Sequence, residues 1–349
     1  MNYIKAGLIG TFILCFQVLA TAQSHLSTPM EIMSFMEASP TKYEIEQLYG
    51  EAPKRKRPVL ANGTFIQAKE DREYTYEYEE LESKREKKWR VEAMELRNME
   101  NPDYIKIRKL FGKVLKSSPY NAQLMTYMGE TYFDEDNFEE ARKWLYKALD
   151  HNPIDYSAHK ILAEIFLKEG ALDSAVQEIT IAHLFNRNNP YLLTRLKEIY
   201  TQKGLNYYEN WGFDPKYRIN LDSNKTVVIT ADGIWLTYAM YKAVWTHEPD
   251  YHYIKEQQEV SDYLFHAEME ASIGTFLTYS AMQHEDKRHF PALYAFEIAL
   301  DHEMVEEYVM YEILLVDHPT LAAHLTPDFM QKLSNYMLTV RSRDVVKGE

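Results

Sequence analysis

A period fixes more about this chain than any composition figure. Pro119 and Pro153 stand about 34 residues apart, a spacing at which two-helix units repeat, and the residues around them recur at the same offsets. Phe111 and Val114 precede the first proline, and Leu145 and Ala148 precede the second; Ile179 and Ala182 occupy the equivalent places in a further copy. Upstream in each copy, Met125, Met128, Gly129 and Tyr132 correspond to His159, Leu162, Ala163 and Phe166. A repeat of this length is two helices and a turn, and such a unit cannot bury its apolar face alone. A small residue is needed where two helix backbones approach, which Gly129 and Ala163 provide, with Ala141 and Ala175 opening the second helices. Proline has no N–H to donate, so Pro119 and Pro153 end one helix and reset the phase for the next pair.

These positions resemble the tetratricopeptide repeat over two full copies and one preceding half. The match covers residues 103–204, less than a third of the chain. The third copy departs from the pattern, since its terminal proline should fall at Arg187 and stands at Pro190. The resemblance implies a short helical solenoid; sparse Gly and Pro and the local signals below extend this to an all-α fold with flanking helices, a further mostly helical C-terminal region and one or two small β-hairpins. It also implies a protein-binding scaffold. By its pattern the groove is lined by Gln123, Thr126, Tyr127, Glu130 and Phe133 in one copy, and by Ser157, Lys160, Ile161, Glu164 and Leu167 in the next. From these, Gln123, Tyr127, Glu130, Phe133, Lys160, Glu164 and Leu167 are the candidate contacts to a protein or peptide partner. Thr126 and Glu130 stand where some members carry a clamp for a C-terminal carboxylate, which disfavours that ligand. The alternative use of this face is packing against the chain's own N-terminal helices.

The remaining chain divides on local signals. Residues 1–22 read as a signal peptide: Lys5, an apolar run from Ala6 to Leu19, then Ala20-Thr21-Ala22 as the cleavage site. Export to the periplasm or the outside follows, soluble after cleavage near Ala22. An uncleaved anchor would need a run of roughly 20 apolar residues, and a lipid anchor on Cys15 is opposed by Leu14 before it. Cys15 is the single cysteine, so the mature chain has no thiol chemistry. No later stretch reads as a membrane span. The net charge of -14 excludes non-specific nucleic-acid binding, which needs a basic surface.

Within 23–102, Thr28-Pro29-Met30-Glu31 is a capping box for a short helix, and Thr41 with Glu44 predicts another before Ile45. Lys54-Arg55-Lys56-Arg57 is a solvated loop or a contact to an anionic partner. Asn62-Gly63 predicts a hairpin joining Val59-Leu60 to Phe65-Ile66. The charged stretch from Glu70 to Glu100 reads as one long helix, although Tyr74, Tyr76 and Tyr78 alternate as a strand would. In 205–349, Asn210 to Pro215 predicts a loop pinned by its rings, and Tyr217–Leu221 with Thr226–Thr230 a hairpin. Helices follow, over Ala271 to Met282, Pro291 to Leu300, Met304 to Val316 and Asp328 to Val340, as a separate domain or as degenerate repeats.

No cofactor is implied by any motif. Eight of the 12 histidines lie between His247 and His324, and His302 with Glu306 fits one side of a helix as a divalent-metal pair. A metal-dependent enzyme built there is the rival to the scaffold. Hydrogen-bonded or solvated histidines are the plain alternative, which His284-Glu285 with His289 and His266 with Glu268 and Glu270 share.

Overall fold

A computed structural model describes residues 26–69, 72–248, 260–282 and 289–344. The leader with Cys15, and the pair His284-Glu285, lie outside them. Helix dominates, and the strands among the described residues form three small sheets. The chain divides into two compact units, and neither is one continuous stretch: one takes residues 1–56, 208–317 and 338–341, the other 57–207, 318–337 and 342–349.

The second unit holds the repeats. Its repeat helices run Lys84–Arg97, Tyr104–Ser117, Ala122–Phe133, Phe138–His151, Tyr156–Lys168, Leu172–Phe185 and Pro190–Lys203, successive ones packing on one another, and the later helix Pro327–Tyr336 packs on Leu172–Phe185. The start of each pair is written into the period. Asn121, Asp155 and Asn189 are spaced by one period each, and each side chain accepts backbone N–H bonds from the first turn of its helix. Asn189 stays in phase while Pro190 takes the first helical position. The displaced proline therefore opens the next helix without changing its register.

The recurring apolar positions are the core: Phe111, Val114, Leu145, Ala148, Ile179 and Ala182 are all fully buried. At Gly129 a Cβ would lie 2.8 Å from the Leu145 Cγ and 3.2 Å from the Ala141 carbonyl oxygen. The helices touch there, which is the reason for glycine. Gly204 ends the helix Pro190–Lys203 in the left-handed conformation, φ 86°.

The first unit is built on an aromatic core. The helix Pro29–Ala38 has the expected capping box from Thr28 and Glu31. A three-stranded sheet follows in the order Tyr43–Gln47, Val227–Ala231, Tyr217–Leu221, with the first pair parallel and the second antiparallel. The helices Trp235–His247, Val260–Ser280 and Pro291–Asp301 pack behind it, and Val305–Val309 runs into a π-helical turn, Met310–Leu314. Phe213 is the hub, edge-on to Trp235, Tyr238 and Tyr308, so the Asn210 to Pro215 loop is pinned by its rings as expected.

Four local readings are corrected. Thr41 to Tyr49 is not a helix, because Tyr43–Gln47 pairs with a strand far along the chain and tertiary pairing overrides a weak cap signal. Asn62-Gly63 is a turn, but it precedes the hairpin instead of joining it. The paired strands are Thr64–Lys69 and Arg72–Glu77, and the tyrosine alternation belongs to the second of them. Within the predicted helix from Glu70 to Glu100, the described residues are therefore the strand Arg72–Glu77, a short 3-10 turn Tyr78–Leu81 and then the helix Lys84–Arg97. In the basic run, Arg55 is neither solvated nor free for an anionic partner. Its guanidinium donates to both carboxylate oxygens of Asp317, at 2.7 and 2.9 Å, and to the Phe213 and Ile313 carbonyls.

Among the described residues no helix is long and apolar enough to cross a membrane.

Candidate functional site

The extended segment Arg57–Thr64 lies against the repeats as a strap, held mainly through its backbone. Asn186 is wholly buried and meets Leu60 twice: its Oδ1 accepts from the Leu60 N–H at 3.0 Å, and its Nδ2 donates to the Leu60 carbonyl at 2.9 Å. One repeat earlier, Asn152 donates to the Thr64 carbonyl at 3.0 Å. Asn188 donates to the Pro58 carbonyl at 2.8 Å, and Gln123 to the Asn62 carbonyl at 3.1 Å. Four carboxamides thus read main-chain oxygens. Asn152 and Asn186 are the C-caps of equivalent helices in successive repeats, and the strap passes one and then the other, running opposite to the order of the repeats.

Side chains of the strap are read at one place. The Ser157 hydroxyl donates to Asn62 Oδ1 at 2.9 Å, and Asn62 Nδ2 donates to the Tyr127 hydroxyl at 3.3 Å, which also accepts from Gln123 Nε2 at 3.2 Å. Burial pushes the Tyr127 phenol up to about 12, so it stays protonated. Below the turn, burial raises the Asp155 carboxyl above the usual carboxylate range. The Thr126 hydroxyl at 2.7 Å and the N–H groups of Ala158 and Ser157 act in the opposite sense. Asp155 therefore joins the cap of Tyr156–Lys168 to the face of the equivalent helix one repeat earlier, Ala122–Phe133.

The candidate residues separate into two sets. Gln123 and Tyr127 are brought to the strap. Glu130 is paired with Arg97 at 2.7 Å, and Glu164 accepts two bonds from Arg195 at 2.5 Å. Phe133 lies under the Lys168 ammonium, and Lys160 sits over the Tyr191 ring; Leu167 is half-buried. The face is shared by the N-terminal helix Lys84–Arg97, whose Ala93 packs in one cluster with Tyr127 and whose Arg97 takes Glu130, and by the extended strap at Gln123, Tyr127 and Ser157. Asn152, Asn186 and Asn188 are absent from the candidate set because the family pattern places contacts on the first helices, while these lie at the turns between repeats. Their signal was available: asparagine recurring at the repeat period just after a helix.

The metal pair is corrected. His302 caps the helix Pro291–Asp301, and Glu306 belongs to the next one, Val305–Val309. Glu303 between them has φ 58°, which breaks the helix, so the two do not share a helical face. Both are exposed. Among the described residues no group of three or more His, Cys, Asp or Glu is arranged to hold a metal ion.

Neither a family model nor a curated protein matches the chain.

Proposed function

We propose that the protein is an exported scaffold of the tetratricopeptide type that holds extended polypeptide segments across the turns between its repeats. The observation that carries this reading is the ladder of carboxamides, Asn152, Asn186, Asn188 and Gln123, directed at main-chain carbonyls of the strap. Contacts to backbone oxygens do not depend on side-chain identity, so a site of this kind accepts chain as chain. The leader-like stretch from Met1 to Ala22 supports export. The strap is the chain's own resident occupant, and its tether keeps it at millimolar effective concentration or above. A partner segment binds by taking its place.

The test uses the full chain with residues 58–64 replaced by glycine and serine, and a labelled free peptide of residues 57–66. Saturable binding to this variant, and much weaker binding to the wild type, is the expected result. A folded variant that shows no saturable binding up to about 1 mM, where the association free energy is only about -4 kcal/mol, refutes the reading.

A further inference from the structure

Resting on that reading of the strap site, we infer that the site selects its segment at a glycine turn: it takes an extended chain with an apolar residue followed by x-Asn-Gly, as in Leu60-Ala61-Asn62-Gly63.

The turn is closed by the Thr64 N–H to the Ala61 carbonyl at 3.3 Å and by the Thr64 hydroxyl to the same oxygen at 2.8 Å. Gly63 is buried with φ 78°, while Asn62 before it is not in the left-handed region. That combination is a type II turn, whose third position calls for glycine. A second obstacle to any other residue comes from the site itself. A Cβ on Gly63 would stand 2.5 Å from Gln123 Cδ and 2.5 Å from its Nε2, a separation that real Cβ atoms do not reach. Ordinarily a flexible side chain could move aside. Gln123 is 1% exposed and holds its Nε2 on the Asn62 carbonyl and the Tyr127 hydroxyl. Its Oε1 is buried with no hydrogen-bond partner among the described residues, so the amide's orientation is set by what Nε2 donates to. Any swing that made room for a Cβ would break both of those bonds.

The other two determinants follow from the same geometry. Asn62 uses both ends of its amide, accepting from Ser157 and donating to Tyr127; aspartate would keep the first contact and lose the second. Leu60 is fixed at both backbone groups by Asn186 and is half-buried, so its place takes an apolar side chain of that size. The carboxamide ladder supplies contact to any chain, and the Gln123, Tyr127 and Ser157 corner decides which chain. The partner is therefore a protein with an exposed segment of this pattern.

The chain with 58–64 replaced is titrated with the peptide of residues 57–66 and with the same peptide carrying Gly63→Ala or Asn62→Ala. Each substituted peptide is expected to bind about 10- to 100-fold more weakly, and Gln123→Ala in the protein should recover part of the loss for the Gly63→Ala peptide only. Equal affinity of all three peptides overturns the selection while leaving the scaffold reading in place. Absence of binding by every peptide to the folded chain overturns both. Should the replaced chain fail to fold, the intact protein decides the point: Gly63→Ala must lower Tm less in a Gln123→Ala background than alone. Simple additivity of the two substitutions refutes the proposed selection.

Discussion

Replacing Asn186 by alanine isolates the strongest point of the strap contact. The wild-type carboxamide satisfies both backbone groups of Leu60 from a position with no exposure. Alanine removes two hydrogen bonds worth about 1 kcal/mol each net, and leaves the Leu60 groups to find water in a half-closed site, for a total of about 2–3 kcal/mol. A residue-level probe separates the strap from the rest of its unit, which global denaturation reads as one. Amide hydrogen exchange at Leu60 reads the strap directly. With about 1.4 kcal/mol per factor of ten, protection of that amide should fall roughly 30- to 100-fold, while amides in the helix Tyr156–Lys168 keep theirs. Asn152→Ala, which removes the single bond to Thr64, should cost about 1 kcal/mol by the same reasoning. Leu60 protection within about twofold of wild type in Asn186→Ala would mean that the strap is held by something other than these amides.

Three further outcomes follow from the packing. Gly129→Val drives a branched side chain into Leu145 and the Ala141 carbonyl and should destabilise the repeats by about 2–3 kcal/mol in a urea titration; Gly129→Ala should cost less, since alanine recovers about 1 kcal/mol of helix propensity. Arg55→Met leaves Asp317 without its partner and the Phe213 and Ile313 carbonyls without their donor, and should lower the stability of the first unit by about 2–4 kcal/mol, read from near-ultraviolet circular dichroism of its aromatic core. The Ser117, Ser118 and Ser83 groups hold the Glu86 carboxyl at about 2, below its usual 4.5. A carboxyl depressed in the folded state stabilises fully above its unfolded value and loses that contribution as the pH falls through the folded one. Glu86→Gln should therefore be about 1–2 kcal/mol less stable than wild type at pH 7, with the gap closing between pH 4.5 and 2 in a thermal-melt series.

The repeat was legible because helix packing leaves a strict record. A position that must be small, such as Gly129, or apolar, such as Leu145, returns once in every repeat whatever surrounds it. The hairpin Tyr217–Leu221 with Val227–Ala231 was legible for the local reason that its turn, Asp222 to Asn224, lies between its strands. Tyr43–Gln47 left no such record, since its partner strand begins at Val227 and nothing within Thr41 to Tyr49 encodes a pairing at that distance. The strap was half legible. Gln123 and Tyr127 follow from the pattern of the first helices, but an intramolecular occupant with little secondary structure of its own announces itself only through its receptors. Glu130 and Glu164 were chosen for charge exposed to a partner, and Arg97 and Arg195, from neighbouring helices, take that charge up.

The discontinuous make-up of the first unit also bears on when the protein can fold. Its parallel strand pair cannot form until Ala231 has been synthesised, so Tyr43–Gln47 must wait for roughly 190 residues, or on the order of 10–40 s at about 5–20 residues per second. Its last segment, Leu338–Arg341, comes later still. The repeat helices wait less, since each packs on the next one in sequence, although the segment 318–337 of the same unit is also made late. On the ribosome the nascent chain therefore carries the repeat helices while the segment ahead of them still lacks its partners. In that interval the strand Tyr43–Gln47 has its pairing edge open to a chaperone or to another chain.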